Sequence, residues 1–181
     1  SLMGEGAGAM MVESEASARA RGAAMLGRVL GAGHATESEG LLAIRDDGEG
    51  PARAIRAALA EAGVDERDVG MIVAHGNGTP ASDASEALAI LDVFGADAPP
   101  VTAFKWSIGH LIAAAGAIEA VLALEALRRG VVPGILVLDR IDPVFATLPV
   151  SRETRKARSD VALVLSRGFG GTDCALLVRA A

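Results

Sequence analysis

The chain has 181 residues, 51% of them hydrophobic, 22% charged and 3% aromatic, a length and balance that suit one globular domain of ordinary size. It is too apolar for a disordered chain and too interrupted by charge for an integral membrane protein. A net charge of −6, a pI near 5.1 and the absence of tyrosine exclude a nonspecific nucleic-acid binder, which needs a basic face with interleaved aromatics.

In chain order, residues 7–13 form a small apolar run that predicts a strand, residues 14–21 a short surface helix, and residues 25–32 a second strand. After the acidic turn at 46–50, Ile55, Leu59 and Ala62 recur at helical spacing over 51–62, with Pro51 at the start and Gly63 as the stop. Residues 69–74 predict a buried strand that ends in His75-Gly76-Asn77-Gly78-Thr79-Pro80, a polar loop. Asp83 and Glu86 have the spacing of a capping box ahead of a helix whose apolar face is Ala87, Ile90, Leu91 and Phe94.

Residues 101–103 predict a short strand and 105–109 a second loop. The apolar stretch 111–127 carries Glu119 and Glu125, so it reads as a buried helix rather than a membrane span, closed by Arg128, Arg129 and Gly130. Strands follow at 131–138 and 161–166, with a charged connector at 152–159 between them. The glycine turn at 168–172 then leads into a last strand at 174–178. Alternating strands and helices predict an α/β fold, and the closing hairpin makes the sheet mixed.

His75 and His110 each stand beside a glycine where a strand or loop meets a helix, the place where α/β folds put active sites. Each could instead be a hydrogen-bonded structural histidine. Two histidines without a third ligand make a poor metal site, and no metal is expected. Lys105, one of two lysines, lies between Phe104 and Trp106, and Glu119 is isolated in an apolar helix. A buried Lys105–Glu119 ion pair is expected, either as a structural element or as the support of a polar pocket around His110. The turn at 168–171 could be structural or could bring backbone N–H groups close to a ligand as an oxyanion hole. Gly4-Glu5-Gly6-Ala7-Gly8 lacks the preceding strand of a dinucleotide-binding loop, and no phosphate-binding loop is present. The single cysteine, Cys174, allows neither an internal disulfide nor a multi-cysteine metal site, and its place in a strand predicts an inert buried thiol. No charged segment followed by an apolar run opens the chain, so export is not expected and a reducing cytoplasm is.

Taken in order, Gly4-Glu5-Gly6-Ala7-Gly8, Ala74-His75-Gly76 with Thr79-Pro80, Asp83, Glu86, Lys105, Gly109-His110-Leu111, Ala114-Ala115-Gly116, Glu119 and Gly168-Phe169-Gly170-Gly171-Thr172 resemble the beta-ketoacyl-acyl-carrier-protein synthases. The resemblance covers essentially the whole chain, as the C-terminal half of such an enzyme. It implies a thiolase fold, a single domain over 1–181, and a nucleophilic cysteine on an N-terminal half outside this chain. It further implies decarboxylative Claisen condensation of acyl and malonyl thioesters, with His75 and His110 as enolate-stabilising donors and Lys105, paired with Glu119, supporting the second histidine, His110. Thr79, Phe169 and Gly170 fall at substrate-binding positions, Phe169 as a gate. No resident cofactor is implied, because the substrates ride on the phosphopantetheine of an acyl carrier protein. A homodimer, or a heterodimer with a related ketosynthase, is the implied assembly.

Four residues depart from the family pattern: Asn77 where threonine is usual, Trp106 after the lysine, Arg167 before the glycine turn, and Asp173 where asparagine is usual. Asn77 and Trp106 leave room for a second reading, a non-catalytic partner resembling chain-length factors. A free-standing ligand-binding domain is disfavoured, because half of a thiolase fold would expose apolar surface.

Overall fold

The alternation of short apolar runs with alanine-rich helices builds a five-stranded mixed sheet between two helical layers. The computed structural model describes residues 2–181, residue 144 by its backbone alone. Helix α1 (Glu15–Ala20) precedes strand β1 (Gly27–Thr36), helix α2 (Glu49–Ala62), strand β2 (Met71–Val73) and helix α3 (Pro80–Phe94). Strand β3 (Val101–Thr102), the single helical turn α4 (Lys105–Ile108) and helix α5 (Ala115–Arg128) follow. Strands β4 (Val131–Val132), β5 (Arg155–Lys156), β6 (Val161–Gly168) and β7 (Thr172–Ala180) complete the chain.

The sheet order is β1-β7-β6-β2-β3. Strand β2 runs parallel to β3 and β6, whereas β7 is antiparallel to both β6 and β1, so the closing hairpin does make the sheet mixed. Alternation along β6 sorts the core. Val161, Leu163 and Leu165 face α2 and α3, where Ile55, Ala58 and Ile90 cover them, while Ala162 and Val164 face Ala123, Ala126 and Leu127 of α5.

Groups from other elements occupy part of both outer edges of the sheet. On β1 the Ala32 N–H donates to the Glu61 carboxylate and Arg53 donates to the Thr36 carbonyl. On β3 the Val101 N–H donates to the Pro149 carbonyl.

Several expectations are corrected. Residues 7–13 form no strand: the glycines at 4, 6 and 8 lie flat on Leu111 and Ile118, so the segment crosses the start of α5 instead of joining the sheet. Residues 105–109 are a helical turn closed by Gly109 at φ 75°, not a loop. The helix expected over 111–127 starts with a 3-10 turn, Ile112–Ala114, and Ile112 holds φ 52°, an uncommon conformation for a β-branched residue. Only Val131–Val132 of 131–138 is strand, paired with Arg155–Lys156 inside the expected charged connector; Pro133 supplies no N–H to continue the ladder. Asp83 and Glu86 do not form the capping box. Thr79 is the N-cap of α3 with Pro80 at its first position, and both carboxylates serve the preceding loop.

Helix α2 approaches β1 so closely that a side chain at Gly33 would collide with the Ala54 carbonyl and the Ala58 amide. Gly33→Ala is therefore expected to cost about 1–3 kcal/mol, read as a lower urea midpoint at unchanged m-value. An unchanged midpoint would contradict this packing.

Candidate active site

Parallel strands β2 and β3 end side by side, and the loops that leave their C-terminal ends carry the polar residues, as open α/β sheets arrange their sites. His75 stands two residues beyond β2 and Lys105 opens α4 just beyond β3. His110 follows Gly109, and Glu119 projects from the second turn of α5.

The expected ion pair is present and buried, and it holds His75 rather than the expected His110. Lys105 Nζ donates to Glu119 Oε1 at 2.6 Å, with side-chain exposures of 3% and 0%, and also to the His75 carbonyl at 2.7 Å. Burial pushes the Glu119 carboxyl up, and the adjacent ammonium pulls it back down. On the other side of the same residue, the His75 and Gly76 N–H groups donate to the two oxygens of Glu86 at 2.6 and 3.0 Å. The backbone of His75 is thus clamped by a carboxylate before it and an ammonium after it. Burial raises Glu86 to about 7 against the pull of those two N–H groups.

His110 is held by backbone alone. Its N–H donates to the Leu2 carbonyl at 2.8 Å and its carbonyl accepts from the Gly4 N–H at 3.1 Å. The two imidazoles meet edge to face, with ring centroids 5.4 Å apart. Each accepts a backbone N–H at Nδ1, His75 from Arg167 at 3.2 Å and His110 from Ile112 at 3.1 Å. In the neutral form both protons therefore sit on Nε2.

Burial first, and the charge of Lys105 second, hold His75 near 3, with His110 and Arg167 adding to the effect; burial and then Lys105 lower His110 as well. The two rings are neutral Nε2–H donors at pH 7. The Ile112 N–H of the turn leading into α5 fixes the His110 tautomer.

Both histidines line a cavity of about 540 Å³, with Thr79 and Asn77 at the head of α3 and Phe169 at the tip of the β6–β7 hairpin. Phe169 is 74% exposed, and Gly170 and Gly171 take left-handed conformations at φ 77° and 71° that allow the tight turn. The Gly170 N–H donates to the Leu41 carbonyl at 2.9 Å, so it is not a free oxyanion donor in this conformation. The Asn77 carboxamide accepts from the Thr79 N–H and shapes the loop. Cys174 also departs from expectation: it lies in β7 but is exposed in the cavity wall, because it sits on the sheet face beyond the start of α5. Partial burial and then Asp173 raise its thiol, which keeps it protonated and weakly nucleophilic at neutral pH.

Sequence reasoning missed three supports: Glu86 as the clamp on His75, the N-terminal glycine run as the backbone partner of His110, and a buried ionic cluster of Arg167, Asp173 and Glu37. Arg167 and Asp173 stood out as departures, but nothing in their spacing says that they meet.

The family model for the C-terminal domain of beta-ketoacyl synthase matches residues 26–139. The 3-oxoacyl-[acyl-carrier-protein] synthase 2 of Rhizobium meliloti (strain 1021) is 39% identical over 180 residues, 98% of this chain and 42% of that protein. The solved ishigamide ketosynthase/chain length factor superposes with a TM-score of 0.87 at 34% identity, covering 93% of this chain and 41% of its own. A ketosynthase solved with its type II PKS acyl-carrier protein and bound to the hexaketide gives 0.87 at 29%, covering 93% and 42%. The chain therefore belongs to the beta-ketoacyl synthase family. More narrowly, it corresponds to the C-terminal half of a ketosynthase with the thiolase-like fold, and spans less than half the length of these relatives.

Breaking the buried pair is expected to be severe: Lys105→Met strands Glu119 and should lower stability by about 3–5 kcal/mol, whereas Lys105→Met with Glu119→Leu should recover much of the loss. Denaturant titration of both variants checks this. A double variant no more stable than the single one would count against the pair. In an NMR titration, the His75 ring resonances should stay flat from pH 8 to pH 5. An unfolded imidazole takes its proton near 6.5, so His75's share of stability is complete above that pH and falls away as the pH drops toward 3. A midpoint near 6.5 in the folded protein would show that burial does not control this ring.

Proposed function

We propose that this chain is the C-terminal half of a beta-ketoacyl-acyl-carrier-protein synthase and supplies the two histidines of a Cys-His-His site for decarboxylative Claisen condensation. The observation that carries the reading is the paired tautomer: two neutral imidazoles in one cavity, each with Nδ1 occupied by a backbone N–H and Nε2–H left to donate. Two such donors suit a thioester carbonyl oxygen that becomes an enolate oxygen, since they gain strength as negative charge develops. The bond between the malonyl α-carbon and its carboxylate breaks, carbon dioxide leaves, and the electron pair passes into the enolate. The α-carbon then attacks the acyl group held on a cysteine of the N-terminal half, and the cysteine thiolate departs. Lys105 and Glu119 act by fixing His75 rather than by transferring protons. Thr79 and the Gly170 turn border the substrate entrance, with Phe169 as its gate.

In this reading acyl and malonyl thioesters arrive on the phosphopantetheine of an acyl carrier protein, no resident cofactor or metal is needed, and the enzyme works in the cytoplasm as a homodimer or paired with a related ketosynthase. One solved relative is a ketosynthase bound to its acyl-carrier protein, which supports that partner. The ketosynthase/chain length factor relative, together with Asn77 in place of the usual threonine, keeps a second reading open: a non-catalytic chain-length-factor-like partner.

Intact mass spectrometry of the full-length protein before and after exposure to an acyl-phosphopantetheine thioester separates the two. One acyl group on a cysteine outside this chain is expected, and His75→Ala or His110→Ala should each reduce malonyl decarboxylation by about 10²–10³-fold while acylation persists. No acyl gain favours the chain-length-factor-like reading. Label on Cys174 would overturn both.

A further inference from the structure

Two of the residues that depart from the family pattern, Arg167 and Asp173, face each other across the β6–β7 hairpin in the last pairs of the ladder. There Arg167 Nε donates to Asp173 Oδ1 at 2.7 Å, Nη2 to Glu37 Oε1 at 3.0 Å, and Nη1 to the Ser82 carbonyl at 3.3 Å. All three ionic side chains are nearly sealed, at 8%, 2% and 1% exposure. One guanidinium therefore ties β6 to β7, to the segment after β1, and to α3. The first turn of α2 closes the far side, where any side chain at Gly50 would collide with both carboxylates. Burial pushes the Asp173 carboxyl up to about 6, against the pull of Arg167 and, more weakly, of Arg53.

The place of this cluster gives it a purpose beyond stability, since a buried ion pair is weak evidence for stability but a good means of fixing geometry. Strand β6 is covered by helices as far as Leu165, then emerges and ends in an exposed glycine tip. The parallel ladder between β2 and β6 is recorded only as far as Val73 and Val164. Beyond it, the Arg167 N–H on His75 Nδ1 carries the connection from β6 to the residues immediately following β2. The residue whose side chain anchors this uncovered strand end is thus the residue whose backbone sets the His75 tautomer.

We infer that Arg167 is a positioning residue for His75: its three-way side-chain anchor to Asp173, Glu37 and the Ser82 carbonyl keeps its own N–H on Nδ1 and so keeps the His75 proton on Nε2. This rests on the reading of His75 as the donor to the thioester oxygen.

The test uses the full-length protein, labelled with ¹⁵N in histidine, and the double variant Arg167→Met with Asp173→Asn. That variant leaves the formal charge of the cluster unchanged, with Glu37 as its one remaining ion. Imidazole ¹⁵N shifts are expected to show a pure Nε2–H tautomer for His75 in the unaltered protein and a mixture in the double variant. In parallel, kcat for malonyl decarboxylation should fall about 10–100-fold with little change in KM, the signature of lost alignment. A pure Nε2–H tautomer retained in the double variant overturns the inference. Should the double variant fail to fold, Arg167→Lys serves, because an ammonium cannot span two carboxylates and a carbonyl in fixed directions. It should show a smaller admixture of the other tautomer, and an unaltered His75 there would overturn the inference equally. If the tautomer shifts while the unaltered protein shows no decarboxylation, the positioning role stands and the ketosynthase reading fails.

Discussion

An ammonium removed from water must be met on every side, and in this molecule the burial of Lys105 organises the site. Its Nζ reaches the Glu119 carboxylate on α5 and the His75 carbonyl beyond β2, so one charged group joins α4 to α5 and to the loop between β2 and α3. The helix bearing Glu119 must then lie against the sheet face on which β2 ends, where Ala123, Ala126 and Leu127 pack on Val73 and Val164. Packing and ion pair demand the same placement of α5, which is the kind of agreement between levels that specifies a single structure.

The two histidines are equivalent in tautomer but not in support. His75 is 2% exposed and is gripped from three directions, by the Glu86 carboxyl, the Lys105 ammonium and the Arg167 backbone N–H. His110 is half-buried and leans on main-chain groups of Leu2, Gly4 and Ile112. The site therefore pairs one ring in a rigid, low-dielectric socket with one on a backbone cradle closer to solvent. The left-handed conformation of Ile112 is the local cost of turning its N–H back onto His110 before α5 begins.

Much of this was legible in the sequence. The helix over 51–62 with its glycine stop, the strand at 69–74, the mixed sheet and the Lys105–Glu119 pair follow from periodicity, punctuation and the expense of isolated charge. Most of the failures share a physical origin: they concern residues whose role is set by a distant partner. Glu86 has the spacing of a helix cap, yet its carboxylate turns back to the loop because the N–H groups of His75 and Gly76 are buried and need an acceptor. Residues 7–13 have strand composition, but Gly8 and the preceding Gly6 let the segment lie on Ile118 of α5 instead of joining the sheet. The apolar residues at 133–138 read as a strand, although Pro133 ends the ladder. Arg167, Asp173 and Glu37 come from elements that only the sheet order β1-β7-β6 brings together.

That same order leaves β1 and β3 as the outermost strands, and their treatment bears on assembly. An open strand edge is a template on which another chain can hydrogen-bond. Here Glu61 and Arg53 occupy polar groups along β1, and the segment around Pro149 occupies β3. Growth of the sheet from one molecule into the next is thereby discouraged at both ends.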